Sequence, residues 1–231
     1  MSVKYVLFDM DGLLLDTETI YTEVSVDICR KYGKVFDWEL KAKMMGLREK
    51  DAGELIVKTL DLPISAEEYL RQRYLGHEAL FPFTKPLPGV LKLVKHLKKH
   101  NIPICVATSS YKKAYDLKIK NNQELFSLFE EKVICGDDKD ITNGKPYPDI
   151  FLAAARKLGK TINAMDENRD CLVFEDAPSG VLAGLNAKMR VCWIPDKKLK
   201  LDEQLTGLVD SVIFSMEDFV PENFGLPKFD D

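Results

Sequence analysis

The sequence predicts an α/β fold: a parallel sheet with helices on both faces and a helical domain inserted after the first strand. Three observations carry that expectation. Short apolar runs alternate with amphipathic helical patterns, as in sheets whose strands are buried on both faces. Acidic, hydroxyl or basic residues stand where four of these runs stop or shortly beyond. Finally, roughly seventy residues between Asp16 and Pro86 contain no convincing core strand. A structureless loop of that length does not fit a compact domain, so the segment reads as helices.

The first run, Val3-Lys4-Tyr5-Val6-Leu7, is rich in β-formers and ends at Phe8-Asp9-Met10-Asp11-Gly12. Helical patterns follow over Thr19 to Tyr32, Trp38 to Met45, Glu49 to Leu60 and Ala66 to Ala79. Their apolar residues Val24, Ile28, Leu40, Met44, Leu55, Ile56, Leu70 and Leu75 are expected to form a small second core. The domains expected are therefore a core of residues 1–16 and 86–231 and an inserted cap of residues 17–85.

Beyond the insertion, Val90, Leu91, Val94 and Leu97 recur at helical spacing, with Lys92, Lys95 and Lys98 on the other side. Strand runs follow at Pro103 to Thr108 and Lys132 to Cys135. Pro148 suits the first turn of a helix carrying Ile150, Phe151, Ala154 and Leu158, with Gly159 as its stop. After the strand run Cys171 to Phe174, Val181, Leu182 and Leu185 mark a helix. Gly180, Ala183 and Gly184 would let it approach a sheet closely. Arg190 to Ile194 is the next strand and Ser211 to Phe214 a weaker one, while the tail from Pro221 reads as a surface extension. The alternation is that of a Rossmann-like sheet.

Composition narrows the function. Of 231 residues, 45% are hydrophobic and 30% charged, and the net charge is −4 with scattered lysines. Nucleic acid and membrane surfaces are therefore not expected partners. No apolar run approaches a transmembrane helix, and Ser2-Val3-Lys4 leads straight into the first strand, leaving no room for a signal peptide. Cys29, Cys105, Cys135, Cys171 and Cys192 lack CxxC spacing, and four lie in or beside strand runs as small buried hydrophobes. A cytoplasmic protein is expected. His77, His96 and His100 lie in Lys- or Glu-flanked helical patterns and are expected on solvated helix surfaces. Ser-His-Asp hydrolysis, phosphohistidine chemistry and a His-ligated zinc site are correspondingly not expected.

Ligands bind open α/β sheets at the carboxyl ends of the strands, near a switch point. The first strand end offers Asp9 and Asp11, two carboxylates that repel unless a cation or proton sits nearby. An EF-hand is excluded, because Gly12 is fourth from Asp9 and the twelfth residue is Ile20. The second offers Thr108-Ser109-Ser110, hydroxyls and amides opening a helix. Gly144-Lys145-Pro146 follows the third, and Glu175-Asp176 ends the fourth. Alone, these read as a helix cap, a solvated loop lysine and first-turn acids. Together at the strand ends of one sheet they read as a site.

These residues resemble the haloacid dehalogenase superfamily, in its capped phosphatase branch. Phe8-Asp9-Met10-Asp11-Gly12 is similar to the first motif and Thr108 to the second. Lys145 within Gly-Lys-Pro-Tyr-Pro-Asp-Ile-Phe resembles the third, and Phe174-Glu175-Asp176-Ala177-Pro178-Ser179-Gly180 the fourth. The four stand in order and spacing over nearly the whole chain. Two positions depart: Tyr147 replaces an Asp common after Gly-Lys-Pro, and Lys188 stands at a helix end where Gly is usual.

The resemblance implies a phosphomonoester hydrolase in which Asp9 forms an aspartyl-phosphate and Asp11 is the general acid and base. It implies Mg²⁺ held by Asp9, Asp176 and the Asp11 backbone carbonyl, with Glu175 direct or through water. Thr108, the Ser109 amide and Lys145 would hold the phosphoryl oxygens. Glu18, Tyr21 and Arg48 are the candidates on the inserted domain for contact with the leaving group. The substrate implied is a small phosphorylated metabolite, nucleotide-like, such as pseudouridine 5′-phosphate, acted on by a monomer. Alternatives are a deoxy-sugar or glycerol phosphate, or a phosphotransferase resembling β-phosphoglucomutase. Similar mutases carry a His where Tyr21 stands. A silent phosphate-binding protein is disfavoured by the intact Asp9, Asp11, Lys145 and Asp176.

Overall fold

The computed structural model describes residues 2–44, 49–162 and 167–230. The chain divides into two compact units, residues 1–16 with 85–231 and residues 17–84. Arg48, one of the cap candidates, lies outside the described residues.

The larger unit is built on six parallel strands: β1 (Tyr5–Phe8), β2 (Ile104–Ala107), β3 (Val133–Ile134), β4 (Asn168–Glu175), β5 (Met189–Trp193) and β6 (Ser211–Val212). Their spatial order is β3-β2-β1-β4-β5-β6, the Rossmann-like α/β arrangement expected from the sequence. Strand order reverses between β1 and β4, where Phe8 stands opposite Phe174. Alternate strand residues feed two cores, as the two-residue pleat requires. Val6, Phe8, Val106, Leu172 and Phe174 face one core, and Leu7, Cys105, Ala107, Val173 and Val191 the other. Phe8 and Phe174 stack with ring centroids 5.0 Å apart. Such pairs add about 0.5–1.5 kcal/mol beyond their buried area.

In chain order the helices are α1 (Thr17–Lys31), α2 (Trp38–Met44), α3 (Glu49–Leu60), α4 (Ala66–Leu80), α5 (Val90–Lys99), α6 (Lys112–Ile119), α7 (Gln123–Phe126), α8 (Asp149–Lys157), α9 (Pro178–Asn186) and α10 (Glu203–Thr206). On α5 the stripe Val90, Leu93, Val94 and Leu97 is buried and Lys92 and Lys95 are exposed, as its amphipathic pattern demands. Helix α9 packs close to the sheet through its glycines. A Cβ on Gly184 would lie 2.9 Å from a Val191 methyl, and one on Gly180 only 1.7 Å from Glu175 Oε1. Any side chain at 180 would therefore collide with a buried carboxylate. Lys188 takes a left-handed backbone (φ 57°), as its helix-end position suggests, at a cost of about 1 kcal/mol against glycine.

The smaller unit holds α1 to α4. Ile20, Val24, Ile28, Leu40, Ile56, Tyr69 and Phe81 form its buried interior, and the Tyr69 hydroxyl donates to Ser25 Oγ at 3.1 Å. Leu75, expected in this core, is 50% exposed, and His77 is buried two residues away. His77 stacks on Phe81 with centroids 5.2 Å apart and meets Tyr21 at 4.8 Å. The aromatic contacts compensate for burying an imidazole, so its placement on a solvated surface is corrected.

Two other expectations fail for the same kind of reason. His96 is buried within the apolar stripe of α5. The tail from Pro221 is not a surface extension, because Pro221, Phe224 and Leu226 are buried against the β1 side of the sheet. The Val3 amide donates to the Phe224 carbonyl at 3.0 Å, which closes the tail over the first strand. All five cysteines are buried and unpaired with one another. Among the described residues no helix is long and apolar enough to cross a membrane.

Candidate active site

The switch point assembles the acidic motifs. The amide of Asp9, immediately after β1, donates to the Phe174 carbonyl at 3.0 Å, which ties the first motif to β4. Asp9 is 5% exposed and Glu175, the last residue of β4, is 1% exposed. Both would be unstable there as lone anions. Lys145 supplies the counter-charge: its Nζ lies 2.5 Å from Asp9 Oδ1 and also donates to Glu175 Oε1. It is not the solvated lysine its turn-rich loop suggests.

Local structure explains that placement. Asp149 accepts the amides of Thr142 and Asn143, and Asn186 donates to the Pro146 carbonyl, so the loop is held at both sides of Lys145. The ammonium sits 5.0 Å from the centre of the Phe151 ring. Tyr147 points outward and is 57% exposed, so its departure from the family pattern leaves Lys145 in place. Glu175 Oε2 accepts the amides of Asp176 and Ala177, at 3.0 and 3.1 Å, where α9 begins. The positive end of that helix favours the anion.

Asp11 lies in a different environment. Its Oδ1 accepts from Lys118 Nζ at 2.5 Å, and its Oδ2 accepts from Ser110 Oγ at 2.8 Å and Thr108 Oγ1 at 3.2 Å. Thr108 Oγ1 in turn accepts the Ser110 amide at 3.1 Å. Lys118 is therefore a site residue that the sequence reading missed, whereas Ser110 stood in the hydroxyl-rich turn but was given no role of its own. Lys118 is fully buried on α6, three residues after the buried Tyr115, and that spacing was the available signal. Ser109 has an exposed side chain beside this turn. In the smaller unit, Glu18 pairs with Lys41 at 2.9 Å and Tyr21 packs against His77 and Phe81.

Burial raises the Asp9 carboxyl to about 7, with Glu175 and Asp11 adding to the rise and Lys145 opposing it. Burial also opposes the charge on Lys145, but Asp9 and Glu175 outweigh it and hold that ammonium above its usual range. Carboxylate oxygens of Asp9, Glu175 and Asp176 lie within 4.8 Å of one another. A set of hard oxygen donors with excess negative charge fits Mg²⁺.

The sign of a pH effect follows. Asp9 is raised above its unfolded value near 3.8, so between there and about 7 the folded chain holds a proton the unfolded chain has released. This group thus costs the metal-free fold stability as pH rises through that window. Mg²⁺ bound at Asp9 would compete with the same proton. The rise in melting temperature caused by Mg²⁺ should therefore be larger at about pH 8 than at about pH 5.5, as read by differential scanning fluorimetry. An equal rise at both values would remove Asp9 from the metal site.

Buried and half-buried carboxylates at the switch point of a parallel sheet, with lysines and a hydroxyl-rich turn, suit an α/β enzyme that handles a phosphoryl group. The comparisons agree. The haloacid dehalogenase-like hydrolase model matches residues 3–188. The chain is 47% identical over its full length to (DL)-glycerol-3-phosphatase 2 of Arabidopsis thaliana, covering 94% of that protein. It is 43% identical over 99% of its length to a Drosophila melanogaster protein named probable pseudouridine-5'-phosphatase, covering 96% of it. A solved HAD hydrolase, family IA, variant 3, from Entamoeba histolytica superposes with TM-score 0.76 at 26% identity, over 96% of this chain and 97% of that one. The chain belongs to the haloacid dehalogenase-like hydrolases, and it is a phosphatase.

Proposed function

We propose that the chain hydrolyses small phosphomonoesters through an aspartyl-phosphate on Asp9. The observation that carries this reading is the separation of two nearby acids into different environments. Asp9 is buried against Lys145, and Asp11, two residues on, is held by Lys118, Ser110 and Thr108. Burial alone favours the protonated form of Asp9, so a bound cation would be needed to keep it ionised as the nucleophile, with Asp11 as the proton carrier.

Asp9 attacks phosphorus and the bond to the leaving oxygen breaks, with the phosphoryl group passing to the carboxylate. Asp11 gives a proton to the departing alkoxide and then takes one from the water that cleaves the acyl phosphate. Lys118 acts as a positioning residue, fixing the Asp11 carboxylate through Oδ1 while the hydroxyls fix Oδ2. Thr108, the Ser109 amide and Lys145 hold the phosphoryl oxygens. Asp9, Asp176 and the Asp11 backbone carbonyl would hold Mg²⁺, with Glu175 contributing directly or through water. The ion supplies positive charge to offset the carboxylates and the phosphoryl group. Residues 17–84 serve as the cap that selects the leaving group, with Glu18, Tyr21 and Arg48 as its candidate contacts.

The substrate proposed is pseudouridine 5′-phosphate. A second reading, glycerol 3-phosphate, is favoured by the 47% identity to the glycerol-3-phosphatase. The test is kcat/KM for the two esters side by side with Mg²⁺. A preference of at least about tenfold for pseudouridine 5′-phosphate, worth about 1.4 kcal/mol of transition-state binding, is the expected result. The reverse preference would assign the second reading, and turnover undiminished in excess EDTA would remove the metal.

A further inference from the structure

We propose that His96, His100 and Asp230 form a second metal site, one for zinc or a similar transition-metal ion, which pins the C-terminal segment to α5. The site lies apart from the catalytic cluster. Asn101, Ile102 and Pro103 lead from His100 into the amino end of β2, whereas Thr108 and Asp9 follow the carboxyl ends of β2 and β1. The sequence alone argued against a His-ligated zinc because the histidines sit in a lysine-rich pattern. Placement removes one premise of that argument, because His96 is buried rather than solvated.

His96 and His100 are four residues apart on the last turn of α5, so both imidazoles lie on one face of the helix. Asp230 meets both of them. His96 Nδ1 is 3.9 Å and His100 Nε2 is 3.6 Å from Asp230 Oδ2, and donor atoms of all three residues lie within 4.8 Å of one another. Ligands on a tetrahedral zinc, with bonds of about 2.0–2.1 Å, stand about 3.3 Å apart. Small side-chain rotations bridge that difference.

The hydrogen-bonding pattern points to a cation between these groups. His96 Nε2 lies 2.9 Å from the Pro227 carbonyl, which can only accept, so Nε2 carries a proton. On a neutral ring, Nδ1 then aims its lone pair at the Asp230 carboxylate. That contact is repulsive unless a metal ion or a second proton lies between. A ring nitrogen that donates to a backbone carbonyl while its partner faces the ion is the usual setting of a metal-bound histidine. His100 Nε2 is the second pointer, being buried and without a hydrogen bond beside Asp230.

Neighbouring groups support the site or yield to it. The α5 carboxyl end carries partial negative charge that favours a cation. Phe229 packs on His96 with ring centroids 4.7 Å apart, and Lys92 lies 4.6 Å from the centre of that ring. Lys99 competes, donating to Asp230 Oδ2 at 2.8 Å, but its side chain is 66% exposed and can turn into water. Two imidazoles and one carboxylate suit zinc, cobalt or nickel better than Mg²⁺. A water would complete the tetrahedron.

The experiment is a zinc titration of chelator-stripped full chain in saturating Mg²⁺, so that the acidic cluster at Asp9 is already occupied. Calorimetry should show one saturable equivalent of Zn²⁺ per chain, and the melting temperature should rise with it. His100→Gln and Asp230→Asn should each weaken zinc affinity by at least about 100-fold, since loss of an outer-shell partner alone costs about 10–100-fold. Neither variant should change phosphatase kcat in zinc-free buffer. Substituting the buried His96 risks the fold, so the two more exposed ligands carry the test. Absence of saturable zinc binding, or equal affinity in both variants, would overturn the site.

Discussion

Asp9→Asn should lose turnover by on the order of 10⁴-fold or more while keeping its fold, as removal of a covalent nucleophile does elsewhere. The amide is nearly isosteric but cannot attack phosphorus. Its oxygen can still accept from Lys145, and replacing a buried anion by a neutral group relieves the repulsion from Glu175 and Asp11. The metal-free variant should therefore melt no lower than the wild type. A large drop in melting temperature would mean that the carboxylate is chiefly a structural partner of Lys145. Steady-state kinetics with an aryl phosphate and a thermal scan in EDTA check the two halves.

Lys145→Met should be the most damaging single change to stability and should also slow turnover. The ammonium, 7% exposed, is shared by Asp9 and Glu175, which are 8% and 1% exposed at the side chain. Removing one member of a buried ionic cluster strands the others, at about 3–5 kcal/mol. Protonation of Asp9 softens part of that cost, because its carboxyl already sits near 7. The loss should therefore be larger at alkaline pH. On the chemistry, loss of a fixed charge facing the phosphoryl oxygens should lower kcat by about 10²–10³-fold. Chemical denaturation at two pH values and kcat at saturating substrate measure both effects. Unchanged stability together with unchanged rate would return Lys145 to the solvated loop residue that its sequence context suggests.

The strand ends were legible because their chemistry sits on a strong local signal. Buried parallel strands read as short apolar runs, and Asp9, Thr108 and Glu175 each follow such a run directly. The family resemblance then added Lys145, which no periodicity marks. Lys118 was not legible: it is one of several lysines on and beside α6, and only the tertiary fold shows that this one turns inward to Asp11. His96 was hidden in the same way between Lys95 and Lys98, although it stands three residues after Leu93 and one before Leu97 in the buried stripe. The tail was misread because its partners lie more than two hundred residues away, in the contact of Val3 with Phe224. Long-range pairing leaves no local trace. Propensity and pattern see neighbours along the chain, and these residues are placed by neighbours across it.

The most direct measurement is the mass of the Asp9 peptide after acid quench of Asp11→Asn turning over an aryl phosphate in Mg²⁺. A good leaving group lets the first transfer proceed without an acid, while loss of the base stalls hydrolysis of the acyl phosphate. The expected result is a phosphoryl group on Asp9 that accumulates within the first turnover and disappears on treatment with hydroxylamine. Phosphate release from this variant with no phosphorylated Asp9 peptide, or a phosphoryl group on any other residue, would contradict nucleophilic attack by Asp9.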